Sequence, residues 1–500
     1  MDNREYIIGI DVGSSSVVMA VGVRNENGEI SVLGVDVQTI EDCVKDGDIT
    51  NYIGLGNAIA KAKSALESEL GLRLNSAYVG ISGRSVYCVR YEDYVDINDK
   101  TGCVSENEVR ELTARIKMVI PGGGDEIIER IPLRYTIDDH QHVQNPLGYF
   151  GRKLSATYLF VLVGKHQIDR VNRALYRAEI KACGLCVNPT LLPELLLTPE
   201  EKEEGVAIVD IGSDLTDISI VREGKLWYFS SLPIGASSIN NDLHDFLKIS
   251  KKDIDSLKRK FGSAIAAGVP DSTTIPVKMA GHAKKQILQR NIAEIAEERL
   301  KDIAGFVARE LKAAKFSTKI PCGVVLTGGS AYLSNIDQLF ARELNVEVRF
   351  GSMMNGLDDE SQMKVIAFPQ SVVMGLLCYG AKYNACETVR EVNPVNAAVT
   401  DIPVETPSPQ GVDIFSSVPE TPVVPPIVPQ KPVAEFEENT SINEESNEQS
   451  HLEEETEETT EVETTSNETP NEKAQKTKKR GWLEKFREWL DERFISDQYI

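Results

Sequence analysis

A chain of 500 residues, 41% hydrophobic and 26% charged, is long enough for two to four domains with a sizeable buried core. Its formal net charge of -23 is unevenly spread, since residues 432–472 hold fifteen glutamates and no lysine or arginine. The remainder is mildly acidic without a broad basic surface, which argues against nucleic acid as a partner.

The opening residues, Met1-Asp2-Asn3-Arg4-Glu5, lead straight into a strand-like run and lack the basic, apolar and cleavage regions of a signal peptide, so the chain is expected to stay in the cytoplasm. No apolar run approaches the ~18 residues of a spanning helix. The runs at 158–164 and 372–380 are core-sized, and any membrane contact should be peripheral.

Residues 6–37 read as an apolar strand, the turn Asp11-Val12-Gly13-Ser14, a second strand, a polar turn at 25–29 and a third strand. About two hundred residues later the pattern returns: an apolar run at 206–209, Asp210-Ile211-Gly212-Ser213, a strand through Val221, a turn at 222–225 and a strand over 226–232. Two copies at this distance do not make a solenoid; they indicate a duplicated domain whose lobes face each other across one cleft. Helical spacing over 57–69, 171–182 and the long charged stretch 285–315 completes an α/β pattern with covered sheets. Residues 84–165 do not copy the repeat. They show strand-like pieces at 85–96 and 127–137, a helix near 106–118 and a loop at 138–151, and read as an inserted subdomain.

A hairpin of the Asp-x-Gly-Ser type can aim backbone N–H groups at an anion. Asp11 and Asp210, opposite one another, could hold a hydrated Mg²⁺ against polyphosphate charge. A single such turn is common in hairpins, whereas two at duplicated positions are a specific signal. A third element, Val324-Val325-Leu326-Thr327-Gly328-Gly329-Ser330-Ala331, reads as a strand, a Gly-Gly turn and a helix starting near Tyr332. It suits the approach of a flat base or ribose, and equally an ordinary strand-to-helix turn.

The eight cysteines, at 43, 88, 103, 183, 186, 322, 378 and 386, are scattered as free thiols would be. Cys183 and Cys186 lack two further zinc ligands at matching spacing, and His140 and His142 likewise have no ligand partners. After residue 385 the composition shifts. Pro, Val, Thr and Ser dominate 391–432, then come the glutamates, and the region 391–475 reads as a disordered, extended tether. Beyond it, Lys476-Thr477-Lys478-Lys479-Arg480 precedes a segment in which Trp482, Leu483, Phe486, Trp489, Leu490 and Phe494 share one helical face. That pattern fits an interfacial helix with its aromatic face at the headgroup boundary, or a helix that docks on a folded partner.

The three turn motifs, in this order and spacing, resemble those of the superfamily of actin, DnaK-type chaperones and sugar kinases. More narrowly, Ile131-Pro132-Leu133 through Asn145-Pro146-Leu147-Gly148, together with 326–331 and the C-terminal helix, is similar to the bacterial FtsA cell-division family. The resemblance implies a two-lobed actin-like ATPase fold built of duplicated ribonuclease-H-like domains. Its parts would be 1–83 (subdomain 1A), 84–165 (inserted 1C), 166–205 (1A continued), 206–360 (2A and 2B), 361–390 (return to lobe one), 391–475 (linker) and 476–500 (membrane-targeting helix). It implies ATP with Mg²⁺, the phosphates held by Asp11, Gly13, Ser14 and Ser15 from one lobe and by Gly212, Ser213 and Thr216 from the other. Asp210 would join Asp11 in holding the metal. Gly328, Gly329 and Ser330 would border the adenosine, and Glu194 would orient the attacking water. Ser213 and Asp214 replace further glycines, and Ser16 and Val18 occupy the place of a phosphate-reaching lysine, so weak or no hydrolysis is expected. The implied role is to anchor the tubulin-like ring protein FtsZ, docked around 239–303, to anionic lipid on the inner face of the cytoplasmic membrane at the division site. Self-association and recruitment of later division proteins would go with it. A pilus-assembly scaffold, a DnaK-type chaperone or a metabolite kinase are the other readings within the superfamily.

Overall fold

The computed structural model describes residues 5–383, apart from 99–100, 280–283, 317–318, 332, 353–354 and 365–369. The expected tether, basic segment and amphipathic helix, with Trp482, Leu483, Phe486, Trp489, Leu490 and Phe494, lie outside the described residues, as do Tyr332 and Cys386.

Lobe one begins with β1 (Tyr6–Val12), β2 (Ser16–Arg24), β3 (Ile30–Thr39), the short hairpin β4 (Val44–Lys45) and β5 (Asp48–Ile49), α1 (Tyr52–Leu70) and β6 (Ser76–Ile81). The inserted unit follows: β7 (Val86–Asp96), α2 (Glu106–Lys117), β8 (Asp125–Ile137), β9 (Gln141–Val143) and β10 (Lys153–Gly164). The chain re-enters lobe one through α3 (Lys165–Arg177), β11 (Lys181–Val187) and α4 (Asn188–Leu196). Lobe two contains α5 (Pro199–Glu204), β12 (Val206–Ile211), β13 (Thr216–Arg222), β14 (Lys225–Leu232), α6 (Ser237–Leu247), α7 (Lys251–Phe261), β15 (Thr274–Lys278), β16 (Lys284–Leu288), α8 (Gln289–Ala313), β17 (Val324–Thr327), α9 (Ile336–Leu344) and β18 (Val348–Phe350). After α10 (Asp359–Lys364), the last described helix, α11 (Ser371–Tyr383), returns to the first sheet.

The two central sheets are built alike. In the order β3-β2-β1-β6-β11, the first three strands are antiparallel and the last two join β1 in parallel; β14-β13-β12-β17-β18 repeats this scheme. The duplication legible in the sequence is therefore a duplication of topology. Strands β1 and β12 are almost wholly buried, as strands covered on both faces must be. On lobe one α11 supplies part of the cover, and it comes close enough that a Cβ at Gly9 would lie 3.0 Å from Leu376 Cβ. Larger side chains there would push the helix off the sheet.

The insert is a four-stranded antiparallel sheet, β7-β10-β8-β9, packed on α2 through Val95, Leu112, Ile116, Leu154, Tyr158 and Phe160. Helix α2 is set by a capping box in which Ser105 and Glu108 satisfy each other's ends.

Several element limits differ from the sequence reading. The helix expected over 171–182 is α3, which starts at Lys165 and stops at Arg177; Glu179 takes a positive φ of 55° and Lys181 is already in β11. The stretch 285–315 opens as strand, because residues 284–288 pair antiparallel with β15 before α8 begins. Helix α9 begins at Ile336, later than the expected start near Tyr332. Within 138–151, expected as loop, lies the short strand β9.

Candidate functional site

Both Asp-x-Gly-Ser turns close in the same way. Gly13 N donates to Ser16 O at 3.0 Å and Gly212 N to Leu215 O at 2.9 Å, while Ser14, Ser15, Ser213 and Asp214 donate no amide to a backbone acceptor within their turns. A Cβ at Gly13 would lie 2.9 Å from Ser16 O, which is why this position is glycine. The second turn is braced from behind, with Ala236 N donating to Gly212 O and Ser237 N to Ser213 O. Thr216, counted among the phosphate contacts, is fully buried and its hydroxyl donates to Ile234 O at 2.8 Å, so it holds the turn in shape from beneath. Asp214 accepts from its neighbour Ser213 Oγ at 3.2 Å.

The third turn is stapled to the second. Strand β17 runs parallel to β12 with Thr327 opposite Asp210; Ser330 N donates to Ile211 O and Ser330 Oγ to Gly212 O, each at 3.2 Å. Gly328 has φ 92°, and a Cβ there would fall 2.2 Å from Asp210 Oδ1. Gly329 is the exposed tip of this turn. The fold thus gathers Asp210, Gly212, Ser213, Gly328, Gly329 and Ser330 at one edge of lobe two, and Asp11, Gly13, Ser14 and Ser15 at the matching edge of lobe one.

Asp11 and Asp210 interact across the lobes, and a third carboxylate joins them. Asp217 stands opposite Asp210 in the β12–β13 ladder, at the register position that Val18 occupies opposite Asp11 in lobe one. Burial raises Asp210 to about 8, with the charges of Asp217 and Asp11 adding to the effect. Burial also raises Asp11 to about 7, opposed by the Asn188 amide and supported by Asp217. Asp217 is raised by burial to about 6, held back by the hydroxyls of Ser231 and Ser82. Three carboxylates in one desolvated cluster resist ionising together unless a cation joins them. Asn188 donates Nδ2 to Asp11 Oδ1 at 3.2 Å, and its own Oδ1 is buried without a partner. Among the described residues no group of three His, Cys, Asp or Glu side chains is disposed to hold a metal directly. A cation here would keep water and ligand oxygens around it, which fits hydrated Mg²⁺.

Glu194 lies on α4 and is engaged elsewhere, 3.3 Å from Lys202 and 3.1 Å from Lys382. Burial opposes its ionised form, but the two lysines outweigh it and its pKa falls below the ordinary value.

Comparison with known proteins places this architecture. Residues 207–371 match the family profile described as "Cell division protein FtsA", and residues 83–162 match one described as "SHS2 domain inserted in FTSA". The chain is 29% identical over 388 residues to the cell division protein FtsA of Pseudomonas aeruginosa, covering 76% of this chain and 90% of that protein. It is 27% identical to the Bacillus subtilis protein over 362 residues (70% and 80%) and 24% identical to that of Escherichia coli K12 over 393 (76% and 91%). The chain is thus similar to the FtsA cell-division proteins over most of its length. A solved structure titled "PilM-PilN type IV pilus biogenesis complex" shares the fold, with a TM-score of 0.53 at 14% identity, covering 75% of this chain and 98% of that one. The fold is actin-like, and the FtsA-type insertion coincides with the β7–β10 unit.

Four residues near the turns escaped the sequence reading. Asn188 starts α4, a helix not foreseen, and Asp217 lies in a strand where a lone acid reads as solvent-facing. Ser82 lies past the end of β6 and meets Asp217 from the opposite lobe. Lys258 is buried on α7, its amine 3.3 Å from Ala236 O and 3.2 Å from Asp255, which brings a positive charge behind the second turn. Aligning the repeats position by position, which sets Asp217 against Val18, was the one signal available in sequence. The seven described cysteines are free thiols. His140 and His142 pair locally through Nδ1 with Asp138 O and Thr136 Oγ1, respectively. No described helix is long and apolar enough to cross a membrane.

Proposed function

We propose that this FtsA-like protein binds Mg-ATP between its lobes and tethers the FtsZ ring to the cytoplasmic face of the inner membrane at the division site. The observation that carries the nucleotide reading is the meeting of two equivalent hairpin turns around a carboxylate cluster, with serine amides that bond to no described residue and carboxylates that pair with no cation among the described residues. Ser14, Ser15, Ser213 and the Gly13 and Gly212 turns would take the phosphates. Asp11 and Asp210 would hold Mg²⁺ through water, and the cation would offset charge on phosphate and carboxylates alike. Gly328, Gly329 and Ser330 would border the adenosine. Hydrolysis would be slow, because Val18 fills the lysine position with a buried apolar side chain and Glu194 is occupied by two lysines.

Membrane attachment rests on the apolar face of Trp482, Leu483, Phe486, Trp489, Leu490 and Phe494 beside the basic run 476–480. The same reading has the protein self-associate and recruit later division proteins, with the FtsZ tail docking on lobe two. Co-sedimentation with anionic vesicles, with and without FtsZ and Mg-ATP, tests it on the full chain and on a form ending at Gln475. The full chain should carry FtsZ into the pellet and the shortened form should not. If both stay in the supernatant, the C-terminal segment docks on a protein and the anchor reading falls.

A further inference from the structure

The insert is spliced covalently into lobe one, yet much of its specific chemistry is spent on lobe two. Its edge strand β7 runs beside β14: Cys88 Sγ donates to Phe229 O at 3.3 Å and accepts from Phe229 N at 3.4 Å. The Arg90 guanidinium lies 5.7 Å from the Trp227 ring centre and 5.5 Å from that of Phe316, while Arg134 sits 5.8 Å from the same tryptophan. Lys225 Nζ donates to Leu133 O at 2.6 Å.

The splice itself, residues 82–85, is tightly built. A Cβ at Gly47 would fall 2.3 Å from Gly83 Cα, Ser85 Oγ donates to Asp48 at 2.8 Å, and Gly164 N returns to Ser85 O at 3.0 Å. At its first residue, Ser82 lies 2.7 and 2.6 Å from the two oxygens of Asp217 and 3.0 Å from Ser231 Oγ. Ser82 is only 6% exposed, so water does not replace this partner readily. Asp217 in turn is on the hairpin that carries the second phosphate turn, directly across the ladder from Asp210.

We propose that Ser82 is the positioning residue that transmits occupancy of the cleft to the inserted subdomain. The proposal rests on the reading of the cleft as a Mg-nucleotide site. When ligand fixes the β12–β13 hairpin, Asp217 is fixed with it, and its hydrogen bond to Ser82 sets the root of β7. Ser231 shares the carboxylate but belongs to lobe two, so it steadies Asp217 without reaching the splice.

The contrast between the two serines supplies the test. Hydrogen–deuterium exchange is measured on the full-length protein, on Ser82→Ala and on Ser231→Ala, each without nucleotide and at saturating Mg²⁺ with adenylyl imidodiphosphate. Calorimetry run alongside reads binding itself. In the wild type, nucleotide should slow exchange at residues 83–88 by about tenfold, what a hydrogen bond to a charged group contributes at the low end. Ser231→Ala should keep most of that protection. Ser82→Ala should still show nucleotide-dependent protection at the turns, around 212–215, but less than about twofold at 83–88. A purely structural role for Ser82 would raise exchange equally with and without nucleotide and leave the ratio intact, which would overturn the proposal. Loss of the ratio in both variants would also overturn it, since the effect would then belong to Asp217 alone. Binding in the wild type without protection at 83–88 would refute the link and spare the cleft. Absence of binding heat would refute both.

Discussion

Replacing Gly328 with alanine adds one methyl group at the point where the third turn rests on the second. The position has φ 92°, where an L-residue costs about 1–2 kcal/mol. The new Cβ would lie 2.2 Å from Asp210 Oδ1, 2.6 Å from Ile211 O and 2.8 Å from Ile211 N. Two of these three atoms are backbone inside a paired strand and cannot swing aside, so overpacking adds roughly 1–3 kcal/mol. Gly328→Ala should therefore lose about 2–5 kcal/mol, against a typical total of about 5–15 kcal/mol. Urea denaturation followed by fluorescence reports this directly, since Trp227 on β14 belongs to the same lobe. Gly268→Ala is the control: nothing lies within 4 Å of its added Cβ, and its midpoint should match the wild type. Mg-ATP affinity of Gly328→Ala should fall at least about tenfold, because the displaced atom is an Asp210 oxygen. If the substitution shifts stability by less than about 0.5 kcal/mol, the close seating of this turn on Asp210 is refuted.

Asp210→Asn should alter how stability depends on pH. Asp210 titrates at about 8 in the folded chain because of burial first and the neighbouring Asp217 and Asp11 second, against 3.8 for the ordinary side chain. Between about pH 4 and 8 the folded state holds a proton that the unfolded state has released, so the wild type loses stability as pH rises, by up to about 1.4 kcal/mol per unit. Asparagine is neutral throughout, and the variant's unfolding midpoint should gain on the wild type across that window and level off above it. Parallel pH profiles would sink the carboxylate-cluster account. Trp489→Glu should abolish sedimentation with anionic vesicles and leave Mg-ATP affinity unchanged, since it charges only the apolar face of the C-terminal segment. Retained lipid binding would remove the anchor.

The central features of the fold were open to reading because they repeat. Asp11-Val12-Gly13-Ser14 and Asp210-Ile211-Gly212-Ser213 fall at the same point of the same strand order, and the insert was visible as the stretch that breaks the repetition. Element ends were harder. Lys284–Leu288 has no period that separates five residues of strand from the first turns of α8, and only pairing with β15 decides it. The cleft was half legible for a related reason. Glycines announce turns through their local geometry, whereas Asn188, Ser82 and Asp217 act through partners at large sequence separation, and nothing local marks them. Thr216 shows the reverse: the motif includes it, and packing gives its hydroxyl to Ile234 O.

The seating of α11 on β1 has a consequence for synthesis. Residues 6–12 are made about 360 residues ahead of residues 371–383, the helix that covers them. At about 5–20 residues per second, the ribosome needs roughly twenty to seventy seconds to bridge that gap. During this time the first sheet waits with an apolar face uncovered while the insert and the whole of lobe two emerge. Among the described residues, lobe one is thus begun before lobe two and closed after it, so its sheet depends for cover on a helix made much later.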